Sequence, residues 1–357
     1  MTIDNYTKLN LDKFTTEDYN LLYLSNYYEK EHNYFTHFTS IDACENILNL
    51  QEIWLRDTDN MDDDDEITYG FNFLRENISK DNKCKIKLVL DILQANDSFR
   101  NIYSEIMNVG KTTPKPKTYV HCLTPTPKDE KKISLTRKYM WDSYSKNRSG
   151  VLIIFNHNIL NYGMQNHFSF YKVNYSDKTI MNERLEIFLL NIFYMKSEKK
   201  TSFNNDELIY HFFDFIVKLG ASIKKKIYKE EEEFRIFCMP EKIIGETNLY
   251  SKDVCIGSKS EKIYYADLSQ INDYETINKI LANENNQRSF INKFQKTPIK
   301  VPLQKFEKNG INTILNHSLH KIVLGENTSK NDYDRLRLAL EKANIEDFEH
   351  KIIKESM

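Results

Sequence analysis

One stretch restricts the fold more than any other: YFTHFTSIDACENILNLQEIWL, residues 34–55. Its aromatic opening, Tyr34 to Phe38, reads as a short strand. Thr39 or Ser40 then stands where a helix cap belongs, and Ile41, Cys44, Ile47 and Leu48 recur at helical spacing. The segment EIWLRD returns as a second strand. Strand, helix and strand packed so closely commit the chain to an α+β class.

The remaining sequence continues this alternation. A helical pattern runs from about Ile67 to Glu76, the prolines of KTTPKPK (111–117) mark a loop, and TYVHCLTP alternates as a strand. A short helix carries Trp141 and Tyr144, Gly150 stops it, and VLIIF follows as a β-rich run. Another strand is expected over Phe168 to Tyr175, and amphipathic helices near 181–197 and 204–224, the second with Leu208, Phe212, Phe213, Ile216 and Val217 on its apolar face. HKIVLGENTSKNDYDRLRLALEKANI predicts a strand, a glycine turn and a capped helix. The resulting expectation is a polar N-terminal arm over 1–33. It is followed by a single α+β domain over 34–357, with mixed or antiparallel central sheets, flanking helices and a helical insertion at about 177–224.

Composition limits the function. With 357 residues, 40% hydrophobic and 13% aromatic, the chain can bury a substantial core. Its 50 basic and 52 acidic residues give no global attraction to nucleic acid or anionic lipid. Cys44, Cys84, Cys122, Cys238 and Cys255 are odd in number and contain no C-x-x-C pair, which argues for reduced thiols and against a disulfide framework or cysteine zinc site. The N-terminus lacks a signal-peptide pattern, and no apolar stretch is long and unbroken enough to cross a bilayer. A cytoplasmic protein with no membrane partner is expected.

The chemistry-bearing candidates begin with IYKEEEEFRIF, residues 227–237, where four consecutive glutamates sit in strand-like sequence. Read as a strand over 227–238, it points Glu231, Glu233 and Arg235 one way and Tyr228, Phe234, Ile236 and Cys238 the other. Same-face neighbours would lie roughly 6–7 Å apart, and Arg235 could hold one carboxylate by a two-point hydrogen bond. The ordinary alternative is a solvated charge run on an edge strand or helix end.

His37, between aromatics, is a packed core histidine or a site residue. His121 beside Cys122 lacks a metal-ligand spacing. The acidic turn DNMDDDDE (59–66) lacks the glycine and distal glutamate of an EF-hand loop and reads as a helix N-terminus, with cation binding the minority option. Core packing is the default account of Trp141 and Tyr144, three apart on one helical face. The P-loop, dinucleotide-binding and nucleophile-elbow patterns are absent from the sequence.

In order along the chain, YFTHFT, MDDDDE, HCLT, MWDSYSKNRSGVLIIF, EEEFR and LHKIVLGE resemble the bacterial family collected as DUF2971, over about residues 34–345. Asp62 and Asp64 stand where that family tends to have Asn and Pro. Two of these elements are similar to those of ADP-ribosyltransferase folds. That resemblance implies NAD as substrate, with His37 on the NAD ribose, Glu233 as the catalytic glutamate with Glu231 before it, and Tyr144 or Trp141 near the nicotinamide. Arg235 would orient Glu233 or bind the pyrophosphate. No metal is expected. A carboxylate would stabilise the oxocarbenium charge that builds as the nicotinamide–ribose bond breaks.

The leading expectation is an ADP-ribosyltransferase-like enzyme that modifies a nucleic acid or protein, in a toxin or anti-phage setting. The rivals are a non-catalytic nucleotide- or partner-binding sensor and a metal-dependent nuclease using Asp62 to Glu66 with the late glutamates.

Overall fold

The computed structural model describes residues 34–61, 65–80, parts of 100–118, 119–126, 138–145, 148–156, 159, 169–182, 184–185, 215–238, 250–256, 259–269, 313–345 and 347–354. The expected arm over 1–33, the acidic residues 62–64 and most of the two helices between 181 and 214 lie outside them.

In chain order the first elements are β1 (Tyr34–Thr39), α1 (Ile41–Leu50), β2 (Glu52–Asp57), α2 (Glu66–Lys80), β3 (Tyr119–Pro125), α3 (Lys138–Tyr144) and β4 (Val151–Asn156). Then come β5 (Ser169–Lys172), β6 (Phe234–Cys238), β7 (Tyr250–Ile256) and β8 (Lys259–Asp267). The last are α4 (Ile314–Ser318), β9 (Leu319–Leu324), α5 (Lys330–Lys342), α6 (Phe348–Lys351) and β10 (Ile352–Lys354). The chain is thus α+β, with mixed, mostly antiparallel strands. No helix among the described residues is long and apolar enough to cross a membrane.

The chain groups into two compact units, each assembled from separate stretches. The first comprises 1–37, 54–139 and 160–266; the second comprises 38–53, 140–159 and 267–357.

In the first unit, β3 is the central strand. β6 runs antiparallel along it from Tyr119↔Cys238 to Leu123↔Phe234, and β5 runs antiparallel along β6. β1 joins β3 at Phe35↔Pro125 and Thr36↔Thr124, while β2 joins it at Arg56↔Val120 and Asp57↔Tyr119. β8 follows β2, and β7 closes a hairpin with β8.

Val120 and Phe237 lie in one apolar cluster with Ile67, Phe71 and Leu74 of α2 and with Phe215, Ile216, Val217 and Leu219. Those last four belong to a described helical stretch, 215–221. Side chains of this size each stabilise the fold by about 1.5–3 kcal/mol when buried. The two helices approach through glycine: a Cβ on Gly70 would lie 2.0 Å from the Gly220 carbonyl oxygen.

The second unit pairs β4 antiparallel with β9, and β10 parallel to β9. α1 lies against α5, and Arg335 reaches Asp42 and Glu45 across that contact. Ser40 caps α1 by accepting from the Ala43 amide, while Ser329 and Asp332 form a reciprocal capping box on α5.

One expected element is corrected. Residues 226–231 are a 3-10 helix and the strand begins only at Phe234. Glu232 between them has φ 44 and ψ 45, the left-handed conformation. The charged run therefore turns sharply instead of extending.

Candidate functional site

The glutamates on either side of Glu232 face inward, onto two cations. Glu232 separates the 3-10 helix from β6 and is itself exposed, while Glu231 and Glu233 on either side of it are 2% and 3% exposed. Lys224 meets them: its Nζ lies 2.6 Å from Glu231 Oε2 and 3.0 Å from Glu233 Oε2. The Lys224 ammonium also lies 4.8 Å from the centre of the Tyr228 ring. Arg235 grips Glu233 from the strand side, with Nε to Oε1 at 2.7 Å and Nη2 to Oε2 at 3.3 Å. Its Nη1 donates to the Ala221 carbonyl at 2.8 Å, capping the C-terminal end of helix 215–221. Two carboxylates, one ammonium and one guanidinium make a formally neutral, buried quartet.

The backbone around the quartet is tied down equally closely. The Val173 amide donates to the Glu233 carbonyl, the Asn174 amide to Ser222, and the Lys224 amide back to Asn174. The Tyr175 hydroxyl accepts from the Glu233 amide at 2.6 Å. From β3, the Thr124 hydroxyl donates to the Glu231 carbonyl and the Cys122 thiol hydrogen-bonds the Glu233 carboxylate.

Charge state follows from these contacts. Burial alone would raise the Glu233 pKa, but Arg235 and Lys224 outweigh it and hold the carboxyl at about 2. Burial, then the Glu233 charge, pushes the Cys122 thiol well up, so it stays protonated. Burial also raises the Tyr175 phenol.

His37 belongs elsewhere in this unit. Strand side chains alternate between faces. On β3 the register opposes His121 to Ile236 and Cys122 to Arg235, so Cys122, Thr124 and the quartet share one face and His121 takes the other. His37 stacks on His121 with ring centres 4.2 Å apart, and Phe35 packs edge-on against Phe234 at 5.3 Å. His37 and Glu233 therefore point to opposite faces of the sheet around β3.

Each histidine Nδ1 contacts a backbone carbonyl, His37 that of Cys122 at 2.9 Å and His121 that of Trp54 at 3.2 Å. A carbonyl only accepts, so each Nδ1 carries the proton and each Nε2 of the neutral ring offers a lone pair. His121 Nε2 is buried without a partner. Burial lowers both pKa values, and the neighbouring His37 lowers that of His121 further.

Trp141 and Tyr144 lie in the second unit and part company there. Trp141 is buried and packs edge-on to Phe38 at 5.4 Å, whereas Tyr144 is 45% exposed, so the shared packing expected of them does not occur. Among the described residues, no group of three or more His, Cys, Asp or Glu is placed to hold a metal ion.

Sequence reading missed Lys224, Tyr175 and the Cys122 thiol as members of the glutamate cluster. Lys224 opens a run of three lysines, and nothing in that run distinguishes the buried one from its neighbours. The expected family resemblance is found over part of the chain: the model of a family described as "Protein of unknown function (DUF2971)" matches residues 140–236. That span contains Trp141, Tyr144 and the whole quartet but not His37. No curated protein matches the chain. Nor does any solved structure.

Proposed function

We propose that this protein is a non-catalytic sensor that binds a nucleotide, with the buried quartet acting as the clamp that fixes its binding unit. The observation that carries the reading is the saturation of Glu233. Its carboxylate receives Arg235 twice, Lys224 and the Cys122 thiol, and the residue is 3% exposed. A carboxylate that must meet a ribose or an attacking nucleophile needs an open acceptor position in reach of that group. His37, on the opposite sheet face, does not complete a single cleft with it. Recognition requires less: ordered donors and acceptors on a rigid scaffold.

The test is a thermal-shift and calorimetric titration with NAD and the common mononucleotides. A bound nucleotide raises Tm with its concentration, with no nicotinamide released. If no nucleotide binds, the reading is wrong.

The NAD-dependent ADP-ribosyltransferase reading, with its toxin or anti-phage setting and a nucleic-acid or protein acceptor, is favoured by one observation. Glu233 is held ionised beside Glu231, as an oxocarbenium stabiliser must be. It requires the quartet to open on substrate binding. Transfer of label from NAD to an acceptor by wild type and not by Glu233→Gln, with the variant shown to be folded, would support it.

A further inference from the structure

The outer strands of the first unit carry a second arrangement of polar atoms that the quartet does not use. Arginine and carboxylate side chains frequently meet in a two-point fork. Arg56 and Glu261 instead touch once, Nη2 to Oε2 at 3.2 Å. That leaves Arg56 Nε, a donor, and Glu261 Oε1, an acceptor, both shielded from solvent and both without a partner. Glu261 is 5% exposed. A charged oxygen left so is costly, since a buried unsatisfied polar atom forfeits its hydration. One ligand edge with an acceptor beside a donor would satisfy the two atoms together.

Aromatic surface lies on the same face. The hairpin register opposes Tyr250 to Tyr265, Lys252 to Ile263 and Val254 to Glu261, so period-two alternation puts all six side chains on one side of β7 and β8. The Lys252 ammonium lies 5.1 Å from the Trp54 ring centre and 4.9 Å from that of Tyr265, within cation–π reach of both. Tyr250 stacks on Tyr265 at 5.5 Å and 24°, and fully buried Ile263 lies beneath. Trp54 and Arg56, two apart on β2, share a strand face.

We propose that Trp54, Tyr265, Arg56 and Glu261 form a nucleobase site, in which a base replaces the Lys252 ammonium between the two rings and sets a lactam edge against the unused pair. Arg56 Nε donates to the ring carbonyl, and Glu261 Oε1 accepts from the adjacent ring N–H. Guanine and uracil carry that edge. Aromatic stacking supplies sequence-tolerant affinity, and the donor–acceptor pair supplies the choice of base. The proposal rests on the binding reading above and names its ligand class.

The test is titration of the full chain with GMP and UMP, each beside its analogue methylated on the ring nitrogen that carries the proton, followed by calorimetry and by tryptophan fluorescence. Trp141, the other tryptophan, is buried in the second unit, so quenching absent from Trp54→Phe reports Trp54. At least one unmodified nucleotide is expected to bind and quench Trp54, with about tenfold or greater loss of affinity on methylation and again in Glu261→Gln. The methylation arm uses wild-type protein, so it decides the matter even if that variant fails to fold. Nucleotide binding indifferent to methylation, or without quenching of Trp54, overturns the site and leaves the binding reading standing. Failure of GMP and UMP to bind overturns the site, and failure of NAD and every common mononucleotide to bind overturns both.

Discussion

Glu233 shows how far a side chain's surroundings can reverse the meaning of its sequence. In EEEEFR it is one of four equivalent acids; in the fold it is sealed between Lys224 and Arg235. Removing one partner from such a network strands the others without compensation, so Glu233→Gln should destabilise the protein by about 3–5 kcal/mol in urea denaturation. The pH dependence has a definite sign. The folded pKa of about 2 lies below the ordinary 4.5, so the stabilisation is complete above about pH 4.5 and is lost as pH falls from there toward 2. Its full size is on the order of 3 kcal/mol, and Glu233→Gln should remove that slope.

His37 and His121, with pKa values lowered from 6.5, act in the same direction from a higher starting point. Their stabilisation is present above about pH 6.5 and fades below it, and His121→Phe should flatten the curve just under pH 6.5. Spacing made Glu231, Glu233 and Arg235 legible as candidates, and His37 entered through the family resemblance. Spacing could not reveal Lys224, because which lysine of a run turns inward depends on the tertiary ties of 174 and 222, not on its neighbours in sequence.

At the scale of elements, legibility followed local chemistry. The caps of α1 and α5 are written in Ser40 and Ser329, and the strands at 34, 52, 119 and 151 in alternating or continuous apolar residues. The segment 227–238 was misread because its decisive feature, a left-handed glutamate, has no sequence signal; glycine would have announced it. Holding a non-glycine residue there costs about 1–2 kcal/mol. Glu232→Gly should therefore raise stability by about 0.5–1 kcal/mol after the added freedom of the unfolded chain is counted, read as an upward shift in Tm. If Glu232→Gly lowers Tm, the turn does not adopt this conformation.

The packing of α2 on helix 215–221 makes the opposite prediction. Gly70→Ala places a methyl 2.0 Å from a backbone oxygen that cannot move cheaply. It should cost about 1–3 kcal/mol or more, whereas Ala at exposed Asn72 on the same helix should be nearly neutral.

Across the whole molecule, the two compact units are interleaved in sequence. Both units are stitched from three separate stretches, so neither produces the break in composition that marks a boundary between sequential domains. The units hold different groups. The first unit contains the quartet, the histidine pair and the Arg56–Glu261 pair, whereas Trp141 of the second is a core residue. A sealed carboxylate and unused hydrogen-bonding atoms on a sheet face are what support the proposal that the protein recognises a ligand without transforming it. The most direct test incubates the full chain with NAD labelled in its adenylate half, in cell extract, and separates bound from covalently attached label while nicotinamide is assayed. No covalently attached label and no nicotinamide released, whether or not any NAD is held reversibly, is the predicted result. Covalent label on any macromolecule, with nicotinamide released in proportion to added protein, would contradict it.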